Sequence, residues 1–441
     1  MFSNKDLRDM IVPLFLEQLL VMLVGIIDTI VISYVSEAAV SGVSLVNSFN
    51  TIFIYLFTAL ASGGAVVISQ YIGRKDYNNS VDSSSQLLML STVFSVGLMI
   101  VVLILNKWLL RMLFGLVVDA VMQACITYLR ISAYSYPALA IYNTGAAMYR
   151  SMGKTSTTMY ISIISNIINV IGNCIGVFVL HAGVAGVAYP SLIARAFSAI
   201  VITVLCFNKK LDAHYEKKYI FKWNAPQLKR ILNIAIPNGL ENGIFQLVKV
   251  ALSSVVALFG TYQIAANGVA QSIWSLAALV GSAMGPVYIT VIGQCMGAGD
   301  VEQADYYFKK LMKWTLAISI TWNALVFASM PLIMSFYSLA DETVNLVIIL
   351  VAIHNIFNSI VFPFSGPLSN GLRATGDVKF TMVVSIASTV GGRLVLSLIL
   401  GIYFNMGVIG IAIAMCMDWT IRAIIFYMRY RSKKWQQLSV I

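Results

Sequence analysis

Apolar residues run in blocks of about twenty along the whole chain, separated by short polar stretches. A helix of that length crosses the hydrocarbon core of a bilayer. Lipid cannot satisfy free backbone groups, so the blocks must be helices or strands of a closed barrel. No ten-residue alternation of apolar and polar positions supports a barrel. Twelve helical spans are predicted, at 10–34, 46–71, 86–106, 122–148, 158–180, 184–206, 230–258, 263–294, 311–336, 344–370, 380–402 and 407–430. The first block is too long for a cleavable leader and has no small-residue cleavage site before it ends.

The pattern repeats. Pro13 and Glu17 recur 224 residues later as Pro237 and Glu241. Gln70, Gly73 and Asp76 recur as Gln294, Gly297 and Asp300, and Gly183 and Gly186 as Gly407 and Gly410, at the same offset. Six spans per half return the chain to its starting side, so both halves enter with one orientation. Parallel repeats of this kind build two-lobed secondary transporters, with the substrate near the midplane between the lobes. The expected architecture is an all-α polytopic membrane protein, with twelve transmembrane helices in two pseudo-symmetric six-helix lobes. The lobes are 1–206 and 230–430, joined by a basic cytoplasmic linker at 207–229 and followed by a tail at 431–441.

Composition agrees. Of 441 residues, 59% are apolar and 11% charged, against about 25% charged in soluble domains. The net charge of +11 would suit a nucleic-acid partner, but its distribution argues otherwise. Most Lys and Arg fall on one predicted side, at Arg74 and Lys75, Arg150 and Lys154, the lysine-rich 209–230, Lys309 to Lys313, and Arg429 to Lys434. Only Lys107, Arg111 and Arg130 fall on the other. This positive-inside bias puts both termini in the cytoplasm, with the chain in the cell membrane. No basic run interleaved with aromatics suggests base stacking, so no nucleic acid is expected. The linker reads as a solvated segment touching anionic lipid. Five scattered cysteines, without CxxC spacing, read as small hydrophobes.

No nucleophile motif, phosphate-binding glycine loop or His/Cys cluster appears, and the short loops leave no room for a catalytic domain. The chain reads as a transporter driven by an ion gradient, not an enzyme, with no bound cofactor. Nothing demands more than a monomer. Pro13, Pro137, Pro190, Pro237, Pro286, Pro363 and Pro367 lie inside spans, where each removes a backbone bond and can bend its helix. Glycines such as Gly63-Gly64 and Gly391-Gly392 read either as close packing or as bends.

Charges at membrane depth cost roughly 2.5–3.5 kcal/mol on insertion scales, so each needs a reason. The first span holds Glu17 and Asp28, about three turns apart on one face and about 16 Å apart along the axis. Glu17 has a repeat mate in Glu241; Asp28 does not, because Leu252 stands at the matching place. Symmetric features serve a shared scaffold more often than chemistry. Asp28 is therefore the candidate cation or proton site, against the alternative of a partner for a buried Arg or Lys. Glu17 and Glu241 read as pairing with basic groups or, alternatively, as coupling residues. Asn166, Asn169 and Asn173 share a face of the fifth span, where amide oxygens are hard ligands for a small cation or link helices by hydrogen bonds. Lys249, Arg195 and Arg393 are also embedded. Asp418 and Arg422 are spaced for a pair within one helix. His354 is a hydrogen-bonded core histidine or a proton relay.

Taken together, the chain resembles the multidrug and toxic compound extrusion (MATE) family over essentially its whole length. The resemblance rests on IVPLFLEQLLVMLVGIIDTIVISYV, AAVSGVSL and ALASGGAVVISQYIGRKD, and in the second half on GTYQIAANGVAQ, GQCMGAGD and GLRATGDVKF. It implies a V-shaped pair of lobes exporting cationic, amphipathic drugs in exchange for inward Na+ or H+. It also implies a cation site in the first lobe at Asp28, with Asn169, Asn173 and Ser191. An acid is frequent in that subgroup where this chain has Asn173, which removes one charge. Another subgroup carries acids in the seventh and tenth spans. The matching stretches here, GIFQLVK and HNIFNSI, offer Phe245, Gln246, Asn355 and Asn358 instead, with Glu241 one turn earlier. Gln246, Lys249 and His354 remain candidate substrate or coupling residues. A lipid-linked saccharide flippase is the alternative function; Lys249, Arg195 and Arg393 would be its pyrophosphate-binding cations.

Overall fold

The computed structural model describes residues 1–441 except Leu116, Phe336 and Ser338. The described residues form helices, turns and loops, with no strand. They divide into two compact units, Asn4–Gly239 and Leu240–Ile441, the second together with Met1–Ser3.

The first unit begins with α1 (Asn4–Ser33), α2 (Glu37–Gly73), α3 (Tyr77–Phe114), α4 (Asp119–Tyr134) and α5 (Tyr136–Ser151). It continues with α6 (Thr155–Cys174), which runs into a π-helix at Ile175–Val179, then α7 (Ala185–Cys206) and the short α8 (Lys217–Ile220). Helix α9 (Ala225–Val256) starts in this unit and ends in the other. The second unit holds α10 (Thr261–Ala277), α11 (Leu279–Gly297), α12 (Val301–Ala328), α13 (Met330–Ser335) and α14 (Asp341–Ile360). Next come α15 (Phe362–Ser365), α16 (Pro367–Ala374) and α17 (Val378–Ala387). A π-helix (Ser388–Val395), α18 (Leu396–Leu398), a second π-helix (Ile399–Tyr403) and α19 (Gly407–Arg431) complete it.

Among the described residues, 11 helices are long and apolar enough to cross a membrane. The expected span 122–148 is instead split into α4 and α5, 16 residues each, which meet at Ser135. Pro137 explains the break, since it lacks an N–H and sits in the first turn of α5, where none is needed. Span 344–370 is likewise divided, with Pro363 and Pro367 opening α15 and α16. Residue 336, the last of the ninth expected span, lies outside the described residues. Pro13, Pro190, Pro237 and Pro286 lie within continuous helices.

The repeat holds at the level of single hydrogen bonds. Asp76 caps α3 by accepting from Asn79 N at 3.2 Å, and Asp300 caps α12 by accepting from Gln303 N at 2.9 Å. The residue before each cap is left-handed: Lys75 at φ 61° and Gly299 at φ 72°. Gly183 and Gly407 share φ near +60° as well, which is why both are glycine. Helix contacts in lipid gain little from water release and depend on close approach. Gly186 lies against Gly176, where a Cβ would collide with backbone; a Cβ on Gly410 would stand 2.7 Å from Gly401 N.

Segment 207–229 is not a free, solvated linker. Glu216 N donates to Ser85 Oγ at 3.0 Å, and Asn224 N to Gln86 Oε1 at 3.1 Å. Asn224 Nδ2 donates to Asp82 Oδ2, and Tyr215 is buried. The buried polar start of α3 supplies these partners, so the lysines stay outside while the strap docks. The first three residues dock in the second unit. Phe2 N donates to Tyr307 Oη at 2.6 Å, and Tyr307 Oη donates back to Phe2 O at 2.8 Å.

Candidate functional site

Helix α1 sends its two acids to different neighbours. Glu17 is buried and accepts from Arg150 Nη2 at 2.7 Å, Thr158 Oγ1 at 3.0 Å and Tyr142 Oη at 3.3 Å. Its repeat mate Glu241 accepts from Arg373 Nη2 at 2.7 Å through both carboxylate oxygens. Arg150 and Arg373 are themselves repeat mates, in RSMG and RATG, 223 residues apart. Both glutamates are thus held in ion pairs. The sequence signal was present: an arginine three residues before a glycine of positive φ in each half.

Three turns along, Asp28 meets α6 and α7. Asn173 Nδ2 donates to Asp28 Oδ1 at 2.5 Å and to Asn169 Oδ1 at 3.1 Å. Asn169 Nδ2 donates to Ser191 Oγ at 2.9 Å, and Ser191 Oγ to Val187 O at 3.1 Å. The structure therefore brings all four predicted residues into one chain of hydrogen bonds. Asp28, Asn169 and Ser191 border a cavity of about 270 Å³ lined also by Tyr142, Ser162, Ser165, Asn166 and Arg195. Asn173 is fully buried, yet its Oδ1 has no hydrogen-bond partner among the described residues, and neither has Asn166 Nδ2. An unfilled buried acceptor costs free energy unless something fills it. The same hydrogen-bond chain holds a carboxylate, an amide oxygen and a hydroxyl, which are hard oxygen donors suited to a small cation or a proton. No cluster of three His, Cys, Asp or Glu suited to a metal occurs among the described residues.

No ion pair within 4 Å joins Asp28 to a base among the described residues. Arg195 is within Coulombic range of Asp28, but its Nη1 donates to Ser135 Oγ at 2.7 Å. Tyr142, Ser135 and the position of Arg195 were not legible in the sequence, since α5 and α7 carry them together from distant stretches.

The second unit places its candidates differently. Asp418 is fully buried and accepts from Arg422 Nη2 at 2.6 Å, as the helical spacing predicts. Arg393 Nη2 adds a contact at 3.1 Å and Ser388 Oγ donates at 2.6 Å. Arg393 also lies 4.8 Å from the ring of Phe245. Its charge is thereby committed to Asp418, which withdraws it as a pyrophosphate ligand. His354 is buried, as expected of a core histidine, but neither ring nitrogen has a hydrogen-bond partner among the described residues. The amides beside it turn elsewhere: Asn358 Nδ2 donates to Ala277 O at 2.9 Å and to Asn323 Oδ1 at 3.0 Å. Lys249 is exposed and Gln246 half-buried on α9. They and His354 belong to the second unit, Asp28 to the first.

The MatE family model matches residues 13–175 and 237–399, two stretches at the offset of the internal repeat. The uncharacterized transporter YisQ of Bacillus subtilis is 28% identical over 435 residues, covering 96% of this chain and 93% of its own. A probable multidrug resistance protein, NorM, of Thermotoga maritima is 22% identical over 442 residues, covering 99% and 94%. Among solved structures, the outward-facing conformation of a multidrug resistance transporter aligns with a TM-score of 0.90 at 20% identity, covering 97% of this chain and 95% of that one.

Proposed function

The chain belongs to the MatE family of multi-pass membrane transporters, and from that premise we propose that it is a cation-coupled antiporter. It exports cationic, amphipathic drugs by alternating access and takes in Na+ or H+. Relatives named for multidrug resistance support the export of small molecules. The observation that carries the coupling is the Asp28–Asn173–Asn169–Ser191 chain with its unfilled Asn173 Oδ1. It is confined to one unit, since Leu252 stands where Asp28 would recur.

A cation arriving from outside neutralises Asp28 and engages Asn173 Oδ1, which requires the Asn173 amide to turn from its present donor contact. Release of that contact changes how α1 packs on α6. The ion drives transport only through different affinities for the two conformations. Membrane potential adds about 2.3 kcal/mol per charge per 100 mV, less whatever charge the drug carries out. On this reading both termini are cytoplasmic, in the cell membrane, and a monomer suffices.

The test is ethidium efflux from cells expressing the chain, wild type beside Asp28→Asn, with Na+ steps at fixed pH and with a protonophore. Na+-stimulated efflux lost in the variant identifies Na+. Efflux blind to Na+, collapsed by the protonophore and lost in the variant identifies H+. Undiminished efflux from a well-expressed variant would sink the role of Asp28.

A further inference from the structure

Arg195 is the unspent charge of the cavity. Among its lining residues Asp28 is the one acid and Arg195 the one base; the remaining polar groups are Tyr142, serines and asparagines. Tyr128 also interacts with both charges, and neither tyrosine can supply a positive charge. The guanidinium reaches away from the acid to Ser135, in the break between α4 and α5. From there a buried network continues. Ser135 Oγ donates to Ser132 O at 2.6 Å, Asn50 Nδ2 to Ser132 Oγ at 3.1 Å, and Tyr136 Oη to Asn50 Oδ1 at 2.7 Å. The arginine side chain is long, and about 270 Å³ of open cavity adjoins it.

We propose that Arg195 is an internal cation that alternates with the transported one at Asp28. When the coupling ion has left, Arg195 turns to the carboxylate and covers its charge. When an ion arrives, like-charge repulsion sends Arg195 back to Ser135; the structure holds the guanidinium at that end of its travel, with Asn173 alone among the described residues donating to Asp28. This rests on the reading of Asp28 as the coupling site. It explains how a carboxylate in a membrane span can lose its ion without standing bare, which would be costly. It also makes Arg195 a competitor that weakens ion binding and speeds release. The return to Ser135 reports occupancy to the α4–α5 break.

The competition gives two substitutions opposite signs. In proteoliposomes, ethidium exchange is driven by Na+ steps with choline replacement at fixed pH, then by pH steps at fixed Na+. The half-saturating concentration of the effective ion is read for each protein. Arg195→Gln should lower it by about fivefold or more, the low end of coupling between linked sites, and should slow maximal turnover. Arg195→Lys, which keeps the charge, should stay within about twofold, below that coupling range. Ser135→Ala removes the resting partner, frees Arg195 to compete, and should raise the value. No shift in either variant, or shifts of the same sign, would overturn the proposal, because simple structural damage moves both alike. If Arg195→Gln does not fold, the direction of Ser135→Ala decides. Asp28→Asn in the same assay separates the two ideas: cation-driven exchange surviving there defeats the coupling site itself.

Discussion

The fifth and sixth spans of the two units began from one pattern and hold opposite contents. In the first unit, α6 and α7 offer Asn169, Asn173 and Ser191 to an acid on α1, with Arg195 held aside. In the second, the acid on the first span is replaced by Leu252. Arg393 and Arg422 instead close on Asp418, and Ser388 caps the cluster. One centre has an acceptor to fill; the other is internally paired. Meanwhile the Glu17–Arg150 and Glu241–Arg373 pairs are the same in both. Repeated charges brace the scaffold, and unrepeated ones distinguish the units.

The sharpest way to break this contrast is to remove one charge from each centre. Asp28→Asn should abolish cation-driven ethidium exchange, whereas Arg393→Met should leave its ion dependence unchanged, because Asp418 keeps Arg422. A shifted ion dependence in the Arg393 variant would put both centres in the coupling. Next in size are the braces. Arg150→Met leaves the buried Glu17 without its ion pair, at about 3–5 kcal/mol, and Arg373→Met does the same to the half-buried Glu241. Thermal melts in detergent should show both variants strongly destabilised, and adding Glu17→Gln to Arg150→Met should recover part of the loss. A large effect in one unit alone would end the claim that the braces are equivalent. Smallest is the turn before α3. Lys75 holds a left-handed conformation that costs an ordinary residue about 1–2 kcal/mol, and Gly299 occupies the matching place. Lys75→Gly should raise the melting temperature slightly, while Gly299→Lys should lower it.

Much of this was legible in the sequence because the repeat itself sorts the charges. An acid without a mate marked Asp28, and three asparagines at helical spacing marked its partner helix. What stayed hidden depends on register. Arg150 recurs after 223 residues but Gly183 after 224, so one residue is gained between Arg373 and Gly407. The π-helix Ser388–Val395 lies in that interval. Its wider turn takes one more residue than an α turn, and the first unit has no counterpart to it. The π-helix Ile399–Tyr403, by contrast, matches Ile175–Val179 at the 224 offset. A periodicity of 3.6 could not anticipate that Ser388 and Arg393 would both reach Asp418. Nor could it show the docked strap at 207–229, whose lysines announce solvent while Tyr215 and Asn224 turn inward.

The short docking of Phe2 on Tyr307 sets an order of events during synthesis. The two residues are 305 positions apart. At about 5–20 residues per second, roughly 15–60 s pass before the partner has been made. For that time Phe2 lacks this partner. A fluorescent group near Phe2 would therefore change environment late, serving as a clock for the arrival of α12.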